Sequence, residues 1–330
     1  MNPTDPVNRY QRQIDFAPWG QAGQEHLRQA LAVVIGVGGL GSWVSELLTR
    51  AGVGRLRLID DDRVETVNLH RQALFTEADA RAARPKAEAA AARLAELNRE
   101  VAVETVIGRV EPANIADRAA GATVLIDATD NFAARFLIND HAFASATPWV
   151  FAGVGAAGGQ VMAFAPPARP CLRCLYESPP PEVPGIHSRE GFFPPVITAI
   201  AALAAAEALK FLTGRGEAIA PRLLRLDLWG NTVQTLNLAA AAAKLDCPCC
   251  VGGQYRYLYP GPGPAEPDGA AGNGQGPASQ PPPRPQPPQP AAGQRVAQGA
   301  AVPAGDHLLH LGAAVEADDA GAGGQARLGE

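Results

Sequence analysis

The sequence predicts an α/β fold in which helices cover both faces of a doubly wound, mostly parallel sheet. Three observations predict it. Strand-like apolar runs alternate with helical stretches over residues 31–153, a pattern typical of successive βαβ units. The first apolar run ends in a glycine-rich turn, VVIGVGGLGS. After residue 153 strands predominate, and we expect them to extend the same sheet.

The predicted elements follow the chain in order. In the first part, strands are predicted at residues 31–37, 55–60, 101–108, 123–129 and 149–153, and helices at 40–51, 85–98 and 132–145. In the second part, strands are predicted at 160–166, 221–229 and 232–238, with an Ala-rich helix at 196–212. The expected architecture is a Rossmann-like sheet with later strands added to it.

The composition divides the chain into two parts. Hydrophobic residues make up 47% of the 330 residues, which is ample material for a core. From about Tyr259 onward the chain turns to Pro, Gly, Ala and Gln, as in QPPPRPQPPQPAAGQ. Such a segment cannot bury enough apolar surface to offset its ordering entropy. We therefore predict a folded domain over residues 1–253 and a disordered tail over residues 254–330.

The charge balance and the apolar runs exclude several classes of protein. Twenty-eight basic and thirty-three acidic residues give a net charge of −5, without a basic block, so a nucleic-acid partner is not expected. The N-terminal MNPTDPVNRYQRQ lacks a signal-peptide pattern, and we expect no apolar run of the roughly 18 residues that a membrane span needs. These features predict a cytoplasmic protein.

The glycine turn predicts a phosphate site. Gly36, Gly38, Gly39 and Gly41 satisfy the pattern G-x-G-x-x-G between a strand and a helix. Such a turn places backbone N–H groups and the positive end of a helix dipole under a phosphate. The next strand ends in Asp60, whose carboxylate can bind ribose hydroxyls. NAD and ATP fit equally well at this point, and a turn that only packs the helix against the strand is the alternative.

The polar residues that follow favour ATP. Asn68 and Arg71 lie in a loop after the second strand, and a dehydrogenase has no use for an arginine there. Lys86 opens a helix and is one of only three lysines in an arginine-rich chain. A flexible ammonium group can follow a phosphate whose charge moves during a reaction. The alternative for Lys86 is a solvated lysine on a helix face.

The fourth predicted strand ends in further polar residues. Asp130 and Asn131 come at its carboxyl end, where open parallel sheets place their ligand sites. A carboxylate beside a triphosphate is best explained as a ligand of Mg²⁺. Asp127 lies within the strand and is interpreted as a structural hydrogen-bonding residue.

Two cysteine motifs predict a structural zinc site. The chain carries Cys171-x-x-Cys174 and, some seventy residues later, Cys247-Pro-Cys249-Cys250. Four thiolates complete a closed tetrahedral zinc site, and we assign Zn²⁺ to Cys171, Cys174, Cys247 and Cys250. Two alternatives stay open: Cys249 could replace Cys250, or the cluster could hold no metal.

Several motifs together resemble one enzyme family. The segments RYQRQ, GVGGLGS, AGVGRLRLIDDDRVETVNLHRQ, RPK and DATDNFAARFLIND occur in order from Arg9 to about Cys250. They resemble the MoeB/ThiF/HesA family, the bacterial relatives of ubiquitin-activating enzymes. The resemblance implies an ATP-dependent adenylyltransferase that activates the C-terminal glycine of a small β-grasp protein of the MoaD or ThiS type, which ends in Gly-Gly.

The resemblance also implies roles for individual residues. It implies that the glycine turn around Gly39 binds the phosphates, that Asp60 binds the ribose and that Asp130 binds Mg²⁺. The residues that it implies for the triphosphate are Asn68, Arg71 and Lys86. It places Arg12 in the site of a neighbouring subunit, which implies a homodimer. When a carboxylate attacks an α-phosphate, negative charge accumulates on the phosphates. Mg²⁺ and the cationic side chains neutralise this charge. No general base is needed because the carboxylate is already ionised.

One expected residue is missing. Family members that form a thioester or persulfide carry a cysteine near the position of His187, yet this chain has no cysteine outside the two motifs. We therefore expect the reaction to stop at the acyl-adenylate, with a separate sulfur donor acting next, and we interpret His187 as an exposed loop residue. The open alternatives are adenylation of a short peptide or another carboxylate, and an ATP-binding scaffold without turnover. A dehydrogenase ranks last.

Overall fold

The computed structural model describes residues 9–179 and 191–260. Its helices are α1 (Gln11–Ile14), α2 (Gly20–Gln29), α3 (Gly39–Ala51), α4 (Glu77–Arg81), α5 (Lys86–Leu97), α6 (Ile115–Arg118), α7 (Phe132–Ser145), α8 (Leu172–Leu175), α9 (Pro194–Leu212) and α10 (Ala239–Lys244). Its strands are β1 (Leu31–Ile35), β2 (Arg55–Asp60), β3 (Ala102–Ile107), β4 (Val124–Asp127), β5 (Trp149–Gly155), β6 (Gly158–Phe164), β7 (Arg222–Asp227) and β8 (Thr232–Asn237).

The eight strands form one sheet in the order β3-β2-β1-β4-β5-β6-β7-β8. The strands from β3 to β5 pair in parallel, and β6, β7 and β8 are added antiparallel. This confirms the predicted doubly wound sheet and its extension by the later strands. The strand order reverses between β1 and β4, which is where open α/β sheets bind their ligands.

Two apolar layers enclose the sheet. One layer lies between the sheet and the helices α3, α5 and α9. The other lies between the sheet and α7, and it includes the cysteine motifs. In this second layer the fully buried Trp149 of β5 stacks on Phe164 of β6, with ring centroids 4.6 Å apart. Burial of side chains of this size contributes about 2–3 kcal/mol each, so both faces of the sheet stabilise the fold.

Some elements were not predicted from the sequence. The helix α2 has the sequence GQAGQEHLRQ and buries only Gly23, Gln24 and Leu27. Its residues are mostly polar, and Leu27 is its one large apolar side chain in the core, so the segment lacks the apolar run by which the other helices are recognised. It is held by hydrogen bonds instead, since Gln24 Nε2 donates to the carbonyl of Ala51 at 3.3 Å.

The helix α9 is more apolar than the sequence analysis expects. By its 19-residue length and its mean hydropathy of 1.7 it could span a membrane, contrary to the expectation that no run does. Half of its most apolar window is buried inside the fold. Val196, Ile200 and Ala204 are fully buried in the layer shared with α3, so the hydropathy of this helix is explained by its place in the core.

The folded body continues past the predicted boundary at residue 253. Leu258 is buried, and the main-chain N–H of Tyr257 donates to Asp140 Oδ2 of α7 at 2.9 Å. Tyr255, Tyr257 and Leu258 therefore pack on the α7 layer, where their side chains supply apolar surface. The remainder of the predicted tail, residues 261–330, and the position of His187 lie outside the described residues.

Candidate active site

A cleft of about 1660 Å³ opens where the strand order reverses, at the carboxyl ends of β1, β2 and β4. Most of the residues predicted to bind ATP line this cleft: Gly36, Gly38, Gly39, Asp60, Asn68, Arg71, Lys86, Asp130 and Asn131. The fold thus brings together residues that are up to ninety-five positions apart in the chain. Two predicted residues, Gly41 and Arg12, are not part of the lining.

The four glycines of the turn divide into two pairs. Gly36 has a φ of +88°, and a Cβ there would lie 2.7 Å from the carbonyl oxygen of Ala128. A Cβ at Gly41 would overlap the carbonyl oxygen of Gly36. These two glycines allow the turn to pack closely on α3 and β4. Gly38 and Gly39 face the cleft, where their backbone can approach a phosphate.

This division can be tested by stability measurements. We expect Gly41→Ala to lower the free energy of unfolding by about 3 kcal/mol, because backbone must move to admit the new methyl group. Gly39→Ala should cost less than about 1 kcal/mol, because its Cβ would meet side-chain atoms and not backbone, namely Ile197 at 3.2 Å and Arg71 at 4.0 Å. Urea unfolding measures the free energy of unfolding of both variants. Equal losses of stability would show that Gly39 and Gly41 do not differ in how closely their surroundings pack.

Asp60 connects the second strand to the glycine turn. Its Oδ2 accepts a hydrogen bond from the N–H of Val37 at 2.6 Å, and its Oδ1 accepts one from the N–H of Asp62 at 2.8 Å. Burial raises the pKa of Asp60, and the Val37 hydrogen bond and the Lys86 charge lower it in part. The side chain therefore fixes the turn while it lines the cleft, in addition to the ribose contact predicted from the sequence.

Lys86 is buried in the cleft wall at the start of α5. Its Nζ forms an ion pair with Asp62 Oδ2 at 2.7 Å, and only 7% of its side chain is exposed. The alternative of a solvated lysine on a helix face is therefore wrong. Asp62, which the sequence analysis did not select, is the exposed partner that orients the ammonium group.

Arg71 and Asn68 form a hydrogen-bonded pair that lines the cleft. Arg71 Nη2 donates to Asn68 Oδ1 at 2.8 Å. The guanidinium also lies over the ring of Phe192, 5.5 Å from its centroid, in a cation–π contact. Partial burial lowers the pKa of Arg71, which still leaves it charged at neutral pH. The charge of Arg71 is thus held beside the phosphate turn.

Asp130 and Asn131 have different surroundings. Asn131 Oδ1 accepts a hydrogen bond from the N–H of Ala134 at 2.8 Å, so this side chain caps α7. Asp130 is exposed at the cleft, and within residues 9–179 and 191–260 no hydrogen bond or ion pair occupies its carboxylate. An unengaged carboxylate at this position suits a Mg²⁺ ion.

Arg135 is a buried cation of the cleft that the sequence analysis missed. It lies between the rings of Phe132 and Phe151, about 5 Å from each centroid. Its Nη2 donates to the carbonyl of Thr129 at 2.8 Å, and its Nε lies 3.4 Å from Asp127 Oδ2. The signal was present, since a charged residue interrupts the apolar segment FAARFLI.

Asp127 stabilises the same turn that Arg135 contacts. It is fully buried, and its Oδ1 accepts hydrogen bonds from the N–H and the hydroxyl of Thr129 at 2.9 and 2.7 Å. Burial raises the pKa of Asp127, and the Arg135 charge opposes that rise. The predicted structural role of Asp127 agrees with these contacts. Together Asp127 and Arg135 fix the turn that presents Asp130 to the cleft.

Arg12 is exposed on α1, at the other end of the molecule. The preceding Tyr10 packs against Gly52 at the end of α3, while the cleft lies at the start of that helix. Asn98 donates to the Tyr10 hydroxyl at 2.9 Å and holds the segment there. Arg12 therefore cannot reach the cleft of its own chain.

The four predicted zinc ligands come together in space. The sulfur atoms of Cys171, Cys174, Cys247 and Cys250 all lie within 4.8 Å of one another. The Cys171–Cys174, Cys171–Cys247 and Cys174–Cys250 sulfur distances are 3.9, 3.6 and 3.5 Å. A tetrahedral site with Zn–S bonds of about 2.3 Å requires sulfur atoms roughly 3.8 Å apart. The geometry thus fits Zn²⁺, and none of the five cysteines forms a disulfide.

Cys249 lies outside the four-sulfur group. Its thiol is buried, donates to Asp140 Oδ1 and accepts from Asn139 Nδ2, both at 3.4 Å. Asn139 Oδ1 in turn accepts the N–H of Leu172, which precedes Cys174 by two positions. The alternative that Cys249 replaces Cys250 is therefore wrong, and Cys249 instead ties the second cysteine motif to α7.

A glycine turn at the switch point of a parallel sheet, with cationic side chains beside it, is typical of nucleotide-binding α/β proteins. The chain belongs to the ThiF family, whose model matches residues 10–249. It is 38% identical over 246 residues to the sulfur carrier protein ThiS adenylyltransferase of Bacillus subtilis, covering 74% of this chain and 71% of the relative. It is 40% identical over 230 residues to the sulfur carrier protein adenylyltransferase of Thermus thermophilus, covering 68% and 84%.

A solved structure shares the fold of this chain. The structure of Escherichia coli MccB with ATP superimposes with a TM-score of 0.61 at 25% identity, covering 70% of this chain and 72% of that one. The relatives confirm the family suggested by the sequence motifs, and their shared name confirms the prediction of a nucleotidyltransferase.

Proposed function

We propose that the protein adenylates the C-terminal glycine carboxylate of a small ubiquitin-like sulfur carrier of the MoaD or ThiS type and releases pyrophosphate. The observation that carries this proposal is the convergence of Arg71, Lys86 and Asp130 on one glycine turn. Two relatives named as sulfur carrier protein adenylyltransferases support the choice of acceptor.

Different residues of the cleft bind different parts of ATP. The backbone at Gly38 and Gly39 lies under the phosphates, on the positive end of α3. Asp60 has carboxylate lone pairs left for ribose hydroxyls, since each of its oxygens accepts only one backbone hydrogen bond. Gly36, Gly41 and the α7 cap at Asn131 keep the turn and the loop in place.

The reaction needs charge neutralisation more than proton transfer. A carboxylate oxygen of the acceptor attacks the α-phosphorus, and the bond to the bridging oxygen of pyrophosphate breaks. Arg71, with its partner Asn68, and Lys86 stabilise the charge that accumulates on the phosphates. Asp130 is the residue that would hold Mg²⁺, which supplies further neutralisation when bound. The attacking carboxylate is ionised at neutral pH and needs no base.

A homodimer would complete the site. Arg12 is exposed and lies outside the lining of its own cleft, and in a neighbouring subunit it would add another cation. The chain has no cysteine besides the four-sulfur group and Cys249, which is buried against α7. The adenylate is therefore the final product on this protein, and a separate sulfur donor acts on it, in a cytoplasmic pathway.

A second acceptor class has its own support. Solved structures similar to this fold include MccB with ATP and MccB with MccA. Adenylation of a short peptide or another carboxylate is thus the alternative. An ATP-binding scaffold without turnover is a weaker alternative, because the buried Lys86 and the stacked Arg71 are costly features for a protein that only binds.

ATP–pyrophosphate exchange tests the proposal directly. We expect exchange that depends on a ThiS or MoaD carrier with an intact terminal Gly-Gly. Arg71→Ala should reduce exchange about a hundredfold while ATP binding changes little, because the guanidinium acts mainly on the accumulating charge. Arg81→Ala, on the exposed α4, is the matched control. Exchange with a peptide alone would favour the second acceptor class, and ATP binding without any exchange would favour the scaffold.

A further inference from the structure

A network of buried polar side chains lies beside the four sulfur atoms, on the α7 side of the sheet. Its members come from α7 and from both cysteine motifs, and we call them the polar network: Asn139, Asp140, Arg173 and Cys249. All four are buried, and none of them belongs to the four-sulfur group. Burial of polar and charged groups costs free energy unless their partners are in place, so each contact of the network restrains its neighbours.

Asp140 is the centre of the polar network. Its Oδ1 accepts hydrogen bonds from Asn139 Nδ2 at 3.2 Å and from the thiol of Cys249 at 3.4 Å. Its Oδ2 accepts one from the main-chain N–H of Tyr257 at 2.9 Å. One carboxylate of α7 therefore contacts both the second cysteine motif and the segment that follows it.

Asn139 connects both cysteine motifs to the same helix. Its Oδ1 accepts the main-chain N–H of Leu172, in the first motif, at 2.9 Å. Its Nδ2 donates to the sulfur of Cys249, in the second motif, at 3.4 Å. The first cysteines of the two motifs are 76 positions apart in the chain, and one amide side chain fixes the motifs relative to each other.

Arg173 supplies the positive charge of the polar network. It lies within the first cysteine motif, and only 3% of its side chain is exposed. Its Nη1 donates to the carbonyl of Gln254 at 2.7 Å and lies 3.7 Å from Asp140 Oδ1. Its guanidinium also lies over the ring of Tyr257, 5.6 Å from the centroid. A buried carboxylate and a buried guanidinium each need a charged partner, so this pair holds the first motif against α7.

The contacts of the polar network do not involve the sulfur atoms of the four-sulfur group. The network can therefore hold both motifs in place whether or not an ion is bound. Four thiolates brought together repel one another, and ligands on unfixed segments lose conformational freedom when a metal orders them. Ligands that are already fixed avoid this ordering cost, so the affinity for the metal rises.

We propose that Asp140 and Arg173, together with Asn139, are positioning residues for zinc: they hold the two cysteine motifs on α7 before the metal binds, and thereby raise the affinity of the four-sulfur group for Zn²⁺. The inference rests on the zinc assignment and is independent of the reaction in the cleft. A network that only stabilised the fold would leave the zinc affinity unchanged, so measurements can separate the two roles.

The zinc affinity of two aspartate variants tests the inference. Asp140→Asn keeps the shape of the side chain and removes its charge, and it should raise the dissociation constant for Zn²⁺ about tenfold to a hundredfold. Competition with a chromophoric chelator measures this constant on the full chain. Asp79→Asn is the control, because Asp79 is also buried and paired with an arginine, Arg84 at 2.8 Å, but lies on α4. This control should lose thermal stability and keep its zinc affinity within about twofold of normal.

A double variant tests whether the two charged residues act together. Arg173→Met should also weaken zinc binding, because it leaves the carboxylate of Asp140 buried without its cation. When Arg173→Met and Asp140→Asn are combined, the dissociation constant should rise by less than the product of the two single effects. Normal zinc affinity in Asp140→Asn, or single effects that multiply, would overturn the inference.

Hydrogen exchange tests the step before the metal binds. In the full chain treated with a chelator, the amide protons of Leu172 and Tyr257 should stay protected, because their acceptors are Asn139 and Asp140 and not sulfur. In Asp140→Asn treated in the same way, the protection of the Tyr257 amide should be lost. Rapid exchange of both amides in the unsubstituted chain would overturn the inference. A chain that binds no zinc at all would refute the zinc assignment and the inference with it, without bearing on the proposed function.

Discussion

Replacing Lys86 by methionine will reduce ATP–pyrophosphate exchange by about a thousandfold or more and leave the protein folded. Methionine has nearly the same length and fits the buried wall of the cleft, but it lacks the charge that neutralises the phosphates during bond breaking. The loss corresponds to about 4 kcal/mol of transition-state stabilisation. Initial rates at saturating ATP and carrier measure it.

The control for this change is another lysine of the same chain. Lys244 is exposed at the end of α10 and does not line the cleft. Lys244→Met therefore removes the same charge at a position away from the site. It should leave exchange within about twofold of normal. Circular dichroism of both variants checks their folding. A folded Lys86→Met protein with normal exchange would exclude Lys86 from the reaction and weaken the enzyme proposal as a whole.

Loss of one sulfur from the four-cysteine group will have the largest effect on stability. We expect Cys174→Ser to lose its metal and to unfold at a temperature at least about 10 °C lower, because a structural zinc site contributes folding free energy outright. Its sulfur lies 3.9 Å from that of Cys171 and 3.5 Å from that of Cys250, so no other cysteine can take its place without rearrangement. Metal analysis and thermal melts measure both quantities.

Cys249 supplies the matched control for the zinc prediction. Cys249→Ser keeps a side chain that can donate to Asp140, and it removes no sulfur from the four-sulfur group. This variant should retain one zinc per chain and melt within a few degrees of normal. Loss of zinc from Cys249→Ser, with retention in Cys174→Ser, would show that the ligand set is misassigned.

Local patterns in the sequence predicted a large part of this fold. The alternation of strands and helices predicted the sheet and most of its elements, because hydrophobic periodicity is set by residues close together in the chain. The spacing of Cys171 and Cys174, and of Cys247 and Cys250, predicted the sulfur cluster for the same reason. The polar α2 escaped prediction because its position is fixed by contacts such as that of Gln24 with Ala51.

The candidate site was predicted where its residues belong to motifs, and missed where they depend on distant partners. Lys86 and Arg71 were recognisable by type and position. Asp62 became visible only as the partner of Lys86, since three consecutive aspartates look alike in the sequence. Which residues of β6, β7 and β8 line the cleft together depends on the register of these strands. Register is a property of paired strands and is not encoded in one of them.

The sulfur cluster also changes the connectivity of the chain. Cys171 and Cys247 are 76 positions apart, and β7, β8 and the long helix α9 all lie between them. A metal bound there would close these elements into a continuous loop and remove roughly 4–5 kcal/mol of loop-closure entropy from the unfolded chain, by analogy with a cross-link of this span. The strands β7 and β8 would then remain tethered at both ends, even when the edge strand β8 transiently opens.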